Sequence, residues 1–440
     1  MRIAVIGSGI AGLGSAWLLS QQHAVTLFEG NAYLGGHTHT HDVSQAGAMH
    51  AVDSGFIVFN PGNYPLLTRL FDDLGVASQP TTMSFAVRNE ASGLEYNAAS
   101  LDTLFCQRRN LLSPRFIGMV REILRFYREA PALLEQQGPG PTLAEWLYAN
   151  RYGAAFRDEH LVPMAAALWS APGAQILQFP MQHLVRFMAN HHMLQVEDRP
   201  QWRVVQGGSQ RYVDALRQRW RVDERLACPV HRVQRTHAGA RVLSMAGEER
   251  FDQVVLACHS DQALALLDDA DALERDILGN IAFQTNEVIL HTDARLLPRR
   301  RKAWAAWNVL IPAQSDRPYA VTYCMNILQS LQTPEPYCVS LNSSARIDPR
   351  KILRRMHYAH PVYDHASVRA RERKAEIQGR RDTWYAGAYW GFGFHEDGLR
   401  SAVDVAHALG AHWPLQGFHS AGRAAPSPTS DAPIRRAAAS

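Results

Sequence analysis

The chain begins with a short apolar run, Arg2-Ile3-Ala4-Val5-Ile6, that passes directly into Gly7-Ser8-Gly9-Ile10-Ala11-Gly12. The first glycine of such a GxGxxG permits a tight turn, the second lets backbone approach a pyrophosphate, and the third lets the following helix pack on the strand. That helix, Leu13-Gly14-Ser15-Ala16-Trp17-Leu18-Leu19, turns its first N–H groups and its dipole toward the anion. A second strand, Ala24-Val25-Thr26-Leu27-Phe28, ends on Glu29, whose carboxylate can accept hydrogen bonds from a ribose diol. Strand, glycines, helix, strand and terminal acid in register predict a Rossmann-like α/β nucleotide-binding unit.

The bulk properties narrow the rest. At 440 residues the chain has room for two domains, or for one with a large insertion. A hydrophobic content of 46% with 20% charged residues is globular, and a formal charge of +4 gives no global reason to bind nucleic acid. Five cysteines (Cys106, Cys228, Cys258, Cys324, Cys338) form no CxxC, which excludes a zinc ribbon and a closely spaced redox dithiol and fits a reducing compartment. No apolar run reaches the ~18 residues needed to span a bilayer. The expectation is a cytoplasmic protein, at most peripheral at the inner face of the membrane.

Two further blocks carry related signals. One runs from Val204-Val205-Gln206-Gly207-Gly208-Ser209 through a helix expected from Tyr212 to about Trp220, and ends in the acid-led apolar run Phe251–His259, of the type that closes a parallel sheet. The other is the aromatic and glycine-rich stretch Thr383–Ser401, followed by an amphipathic helix to about Leu409 with Gly410 as its stop. Two insertions separate the blocks. The first reads as mostly helical, with Phe116, Val120, Ile123, Leu124 and Tyr127 on one helix face and Arg121, Glu122, Arg125, Arg128 and Glu129 on the other. Pro139-Gly140-Pro141 breaks that pattern and Thr142 caps the next helix. The second insertion contains strand-like runs at Ala282–His291 and Tyr319–Asn326. The expected layout is a nucleotide-binding domain from residues 1–84, 203–265 and 376–412, a substrate domain from 85–202 and 266–375, and a disordered tail over 413–440.

Together these blocks resemble the flavin-containing amine oxidase and phytoene desaturase superfamily, from Met1 to about Gly410. The resemblance rests on GxGxxG with Glu29, on Gly35-Gly36, on Gly207-Gly208-Ser209 and on the C-terminal aromatic-glycine block. Within it, Leu34–Thr40, Val52–Asn60 and Gly393–Ser401 are similar to bacterial NAD/FAD-binding oxidoreductases associated with cyclopropane-fatty-acid-synthase-like genes. The resemblance implies an amine-oxidase-like FAD-binding domain assembled from discontinuous segments, plus an α+β substrate domain. It implies FAD held at the pyrophosphate by Gly7, Ser8, Gly9, Ile10, Ala11 and Gly12, at the ribose by Glu29 and at adenine by Val230. Gly35 and Gly36 give a second close backbone approach, His37 stands where relatives often carry arginine near a phosphate, and Thr38 follows it. Gly391, Gly393, Phe394, Glu396, Asp397, Gly398 and Leu399 are expected at the isoalloxazine ring. A helix N-terminus there stabilises the charge that reduced flavin carries near N1 and the C2 carbonyl.

The sequence departs from amine oxidases in two places. Gly387-Ala388 lacks the acid that often follows the glycine, and no lysine precedes Lys302, whereas many oxidases place one near flavin N5. Lys302 is the candidate for that role, although Arg299-Arg300-Arg301 beside it also reads as a solvated basic loop. His395 and Glu396 are the candidate catalytic acid/base groups, or else they brace the loop they follow. Arg400 either pairs with Glu396 or Asp397 or faces flavin or substrate charge. His37, His39 and His41 alternate as metal ligands on a strand can, but the resemblance gives this stretch to the flavin and no metal is expected. Trp169, Trp304, Trp307, Tyr323, Tyr389 and Trp390 line an apolar pocket or are plain core.

The expected function is an FAD-dependent oxidoreductase that removes hydride, through flavin N5, from an apolar substrate of lipid or fatty-acyl type, as a desaturase or dehydrogenase does. A flavin amine oxidase, a redox-neutral flavin isomerase and an FAD-stabilised scaffold are the alternatives. Expected partners are a small-molecule or lipid substrate and an electron acceptor, whether oxygen, a quinone or a redox protein, with no nucleic acid. The basic helix at 116–128 is suited to rest on an anionic membrane.

Overall fold

The computed structural model describes residues 1–314 and 319–414. Five short strands from remote parts of the chain form one parallel sheet: β1 (Arg2–Ile6), β2 (Ala24–Phe28), β3 (Val222–Arg225), β4 (Gln253–Leu256) and β5 (Thr383–Tyr385). Their spatial order is β3-β2-β1-β4-β5. The central β1 is almost wholly apolar because both of its faces are covered. Ile3 and Val5 pack into a helical layer, while Ala4 and Ile6 face a three-stranded antiparallel sheet of Val230–Thr236, Gly239–Ser244 and Gly247–Phe251. That is the alternation a strand imposes on its side chains. Phe251 belongs to the antiparallel sheet, so β4 is shorter than the apolar run that contains it.

The helical layer pairs α1 (Ile10–Leu19) with α2 (His395–Ala408), nearly four hundred residues on. Two glycines set their separation. A Cβ on Gly14 would come within 2.8 Å of Leu399 Cδ1 and 3.1 Å of Ala402 Cβ, and one on Gly398 within 2.6 Å of Ile10 Cγ2. These contacts pair the helices in parallel register, so both N-termini open at the same end of the sheet. Beyond α2, Trp413 packs edge-on against Trp17 (ring centroids 5.1 Å apart) and donates its N–H to Asp73 at 2.7 Å. The tail expected from 413 therefore begins too early; residues 415–440 lie outside the described residues.

The insertions supply a seven-stranded sheet. Its order is Ile352–Pro361, Phe283–His291, Cys338–Leu341, Ala320–Cys324, Trp307–Ile311, Phe85–Asn89 and Glu95–Asn97. Neighbours are antiparallel, except that Trp307–Ile311 runs parallel to Phe85–Asn89. The helix Val162–Trp169 lies over one face, where Tyr323 donates its hydroxyl to the Ala167 carbonyl at 3.1 Å. The basic helix spans Pro114–Glu129 but is rotated from the expected face: Phe116, Met119, Ile123 and Phe126 are buried, and Leu124 is exposed between Arg121 and Arg128. Thr142 caps the helix Leu143–Ala149 in a reciprocal box with Glu145.

One buried carboxylate joins the two units. Asp53 accepts from the Thr40 hydroxyl (2.5 Å), from the Ser209 N–H and hydroxyl (2.9 and 2.8 Å) and from the Gln329 amide (3.2 Å). Ser209 stands at the start of the helix Gln210–Arg217, which begins and ends two to three residues earlier than the sequence pattern predicts.

Replacing Gly14 by valine should lower the unfolding free energy by about 1–3 kcal/mol, read as a reduced urea midpoint at unchanged m. An unchanged midpoint would contradict the close pairing of α1 and α2.

Candidate active site

At the first turn, Gly7 adopts φ +100° and a Cβ there would meet the Ala257 carbonyl oxygen at 2.9 Å, while a Cβ on Gly12 would fall on the Gly7 carbonyl. Gly9 is different. Its φ of −62° suits any residue, and no described atom lies within 4 Å of a Cβ built there. Bare backbone at Gly9 therefore serves something that approaches from outside, and no side chain caps α1 at this point. Gly35 and Gly36 close onto the same turn: Gly35 donates its N–H to the Ser8 carbonyl at 3.1 Å, and a Cβ on Gly36 would lie 3.0 Å from Gly9 Cα.

Glu29 is buried just past β2. One of its oxygens accepts from the Ser8 N–H and hydroxyl (3.0 and 2.5 Å), and the other from the Asn31 N–H and side-chain amide (both 2.8 Å). A ribose diol would take the places of the two side-chain donors while the backbone donors stay. Val230 opens the antiparallel sheet at this end, and Pro229 before it lies 3.8 Å from a Cβ built on Gly30.

At the start of α2, Asp397 accepts from the Phe392 and Phe394 N–H groups (3.0 and 3.1 Å), and burial pushes its carboxyl up to about 6. Asp397 thus holds the turn Gly391–Phe394 in place, with Gly393 at φ +90°. No side chain caps the first N–H groups of α2. Gly398 and Leu399 face α1 and fix where that helix start sits.

The three catalytic candidates separate. Glu396 does not face the cavity: its two oxygens accept from the Leu66 and Leu67 N–H groups (3.1 and 3.0 Å), at the start of the helix Pro65–Leu74. Arg400 adds a bond of 3.2 Å to the same carboxylate, so Glu396 braces the loop and its expected acid/base role is corrected. Lys302 is also corrected, because its ammonium pairs with Asp102 at 2.5 Å on a solvated turn away from the cavity. Only His395 reaches the cavity. Its ring stacks on Phe56 (3.7 Å between centroids, 19° between planes), and Nε2 lies 3.0 Å from the Thr38 hydroxyl, itself 2.6 Å from the Tyr212 hydroxyl. Burial pushes His395 down to about 3, so the ring is neutral.

His37 also faces the cavity, stacked on His360 (5.3 Å, 21°) with Tyr358 4.9 Å away. Burial first, then the neighbouring His360, His259 and His395, hold it well below the ordinary histidine range. It offers a neutral N–H and not the fixed charge of an arginine. His39 and His41 lie together, 4.0 Å between rings, tied through Tyr358 and Ser54 (3.1 and 2.9 Å). Among the described residues no group of three or more His, Cys, Asp or Glu stands close enough to hold a metal.

A cavity of about 500 Å³ opens beside His395. Its floor crosses six neighbouring strands of the seven-stranded sheet in turn, at His360 with Tyr358, Val288, Leu341, Tyr323, Trp307 and Phe85. At about 4.8 Å per strand, these five intervals span roughly 24 Å. Met164, Ala167, Leu168, Trp169 and Phe187 face the floor from the helices. Trp169, Trp307 and Tyr323 line it as expected, whereas Trp304, Tyr389 and Trp390 lie elsewhere. The described lining contains no Asp, Glu or Lys, and Arg199 is its one permanently charged residue. Tyr358 and His360 escaped the sequence reading, although their i, i+2 spacing on one strand put them on a common face. Phe56 and Tyr212 carried no local signal.

Residues 10–324 match the family model described as Flavin containing amine oxidoreductase. The chain belongs to this family. No curated protein matches the sequence. Among solved structures, a fatty acid isomerase from P. acnes is 17% identical with a TM-score of 0.65, covering 93% of this chain and 98% of that one. Cyclohexylamine oxidase from Brevibacterium oxydans IH-35A is 16% identical with a TM-score of 0.65, covering 93% and 99%. Reduced UDP-galactopyranose mutase is 14% identical with a TM-score of 0.64, covering 93% and 95%. These likenesses show the shared fold.

As a member of the family the protein is an FAD-dependent oxidoreductase, and its residues fit FAD on structural grounds. Gly9 presents bare backbone at an uncapped helix start, Glu29 presents an oriented carboxylate, and a second uncapped helix start lies beside the first. Gly9→Ala should leave the unfolding free energy of the apoprotein within about 0.5 kcal/mol, since the added methyl meets nothing, yet weaken FAD binding at least tenfold in a fluorescence titration. Unchanged FAD affinity would show that the cofactor does not approach this turn.

Proposed function

We propose that the protein removes hydride from an apolar, lipid or fatty-acyl substrate lying in the cavity, leaving a new double bond. The observation that carries this reading is the absence of Asp, Glu and Lys from the described lining. A protonated amine placed there would be a buried cation with no counter-charge, which costs far more than burying methylenes. An acyl chain gains from the same walls, because burial of each CH₂ contributes about 0.8 kcal/mol. The domain layout follows: the parallel sheet with α1 and α2 holds the cofactor, and the insertions build the substrate chamber.

FAD, when bound, supplies a hydride acceptor at N5. The chain's own residues supply the rest. Phe56 and Thr38 hold the His395 ring in one orientation, and the Thr38 hydroxyl occupies Nε2, which leaves Nδ1 as the nitrogen that takes a proton from substrate. A weak, neutral base meets the need, since the C–H next to a carbon losing hydride is strongly acidic. Trp169, Phe187 and Trp307 exclude water from the chamber.

Supply from a membrane suits this geometry. Tyr127 of the helix Pro114–Glu129 lines the cavity, and the same helix exposes Arg121, Leu124 and Arg128 after the exposed Leu111 and Leu112. That is the composition of an interfacial helix on anionic lipid. The reduced cofactor would then pass its electrons to oxygen, a quinone or a redox protein. A redox-neutral double-bond shift uses the same chamber, and the similar fold of the fatty acid isomerase keeps it as the second reading.

Anaerobic mixing distinguishes these outcomes. Oleate presented in anionic vesicles should bleach the flavin absorption band, faster than oleate in neutral vesicles, while putrescine and benzylamine leave it unchanged. Bleaching by the amines alone would contradict the proposal. A shifted double bond without bleaching, seen by mass spectrometry, would select the isomerase.

A further inference from the structure

The chamber has a second polar end, across the sheet from His395. His160 stands there, its ring centroid 6.0 Å from that of Phe85, the last of the six floor strands. It lies in a single π-helical stretch, Arg157–Leu161, between the helical segments Ala154–Phe156 and Val162–Trp169. Such stretches re-aim side chains and concentrate at functional sites. His160 is 3% exposed, and its Nε2 has no hydrogen-bond partner among the described residues. A buried polar atom left in this state is costly and calls for a partner from outside the fold.

The Tyr96 hydroxyl lies 2.7 Å from the Glu159 carbonyl and 3.0 Å from His160 Nδ1. At 2.7 Å that hydroxyl donates to the carbonyl and so accepts from His160 Nδ1–H, which leaves Nε2 a bare acceptor facing the cavity. Two donors line the same end, the Tyr127 hydroxyl and the Arg199 guanidinium. Arg199 is fixed by one described bond, from its Nε to the Gln195 carbonyl at 3.0 Å. Burial raises Tyr127 and lowers His160, and Arg199 is close enough that its charge offsets the first shift and adds to the second. One full positive charge, one hydroxyl donor and one bare imidazole nitrogen, with no carboxylate on the described walls, suit a single carboxyl group with its two oxygens and one acidic proton.

We propose that this end holds the carboxyl group of a long-chain fatty acid, with Arg199 as its charge partner, Tyr127 as a donor and His160 Nε2 as the acceptor of the acid's proton. The inference rests on the acyl reading of the chamber and adds to it which end of the substrate goes where. The head stays at Arg199 near the solvent, and the chain runs over the six strands. Carbons far from the carboxyl group come to His395. An ester head brings no charge to Arg199, and an alkylamine is repelled by it.

Calorimetric titration of the FAD-loaded protein, below the micelle concentration of each ligand, tests this with oleic acid, methyl oleate and oleylamine. Oleic acid should bind at least tenfold tighter than its methyl ester, and oleylamine more weakly than either. Arg199→Gln should remove the preference for the acid while leaving the ester unchanged, and Arg199→Lys should restore most of it. Arg199 is exposed, so these variants leave the core intact. Equal affinity for acid and ester in the native protein, or equal weakening of both by Arg199→Gln, would overturn the carboxylate site while the acyl reading stands. Binding of neither ligand would overturn both.

Discussion

The architecture depends on a contact between two parallel helices that only glycine permits. Gly14 and Gly398 let α1 and α2 approach until Leu399 and Ile10 fill each other's grooves. Because the helices are parallel and in register, two uncapped N-termini open side by side at one end of the β3-β2-β1-β4-β5 sheet. Each contributes partial positive charge from unpaired N–H groups. We propose that one receives a pyrophosphate and the other the charge of a reduced flavin. Neither a side-chain cation nor a metal is needed to create that pair of fields.

Around this frame the polar groups divide between positioning and display. Glu396 and Asp397 follow His395 directly, yet both spend their oxygens on backbone N–H groups and hold the α2 start to the rest of the fold. Asp53 does the same between Thr40, Ser209 and Gln329. His37, His160 and His395, which face the chamber, are neutral, because burial disfavours their charged form. The result is a long apolar chamber with weak bases and neutral donors at its ends and a single guanidinium near solvent.

The sequence made the local motifs plain and the rotational details obscure. The β1–α1–β2 unit with Glu29 was legible because every element of it is set by neighbours within thirty residues. The last helix was legible for the same reason, but it begins at His395, inside the glycine-rich stretch it was expected to follow. Which of two consecutive residues, His395 or Glu396, would face the chamber was not, since one residue turns a helix by about 100° and only tertiary contact with Pro65–Leu74 settles the angle. The same ambiguity misassigned Leu124, which shares an apolar periodicity with Ile123 but not its face. Lys302 was drawn toward the flavin by its scarcity, whereas its position is decided by Asp102. The π-helical stretch at His160 leaves no trace in hydrophobic periodicity, so the far end of the chamber had no signal to read.

Hydrogen exchange followed by mass spectrometry, before and after FAD addition, tests the convergence of remote segments most directly. Joint slowing of amide exchange at Gly7–Leu13, Gly35–Thr38 and Gly391–Leu399 is the predicted result, with all three stretches saturating at the same FAD concentration. Protection confined to one stretch, or none at saturating FAD, would contradict the account.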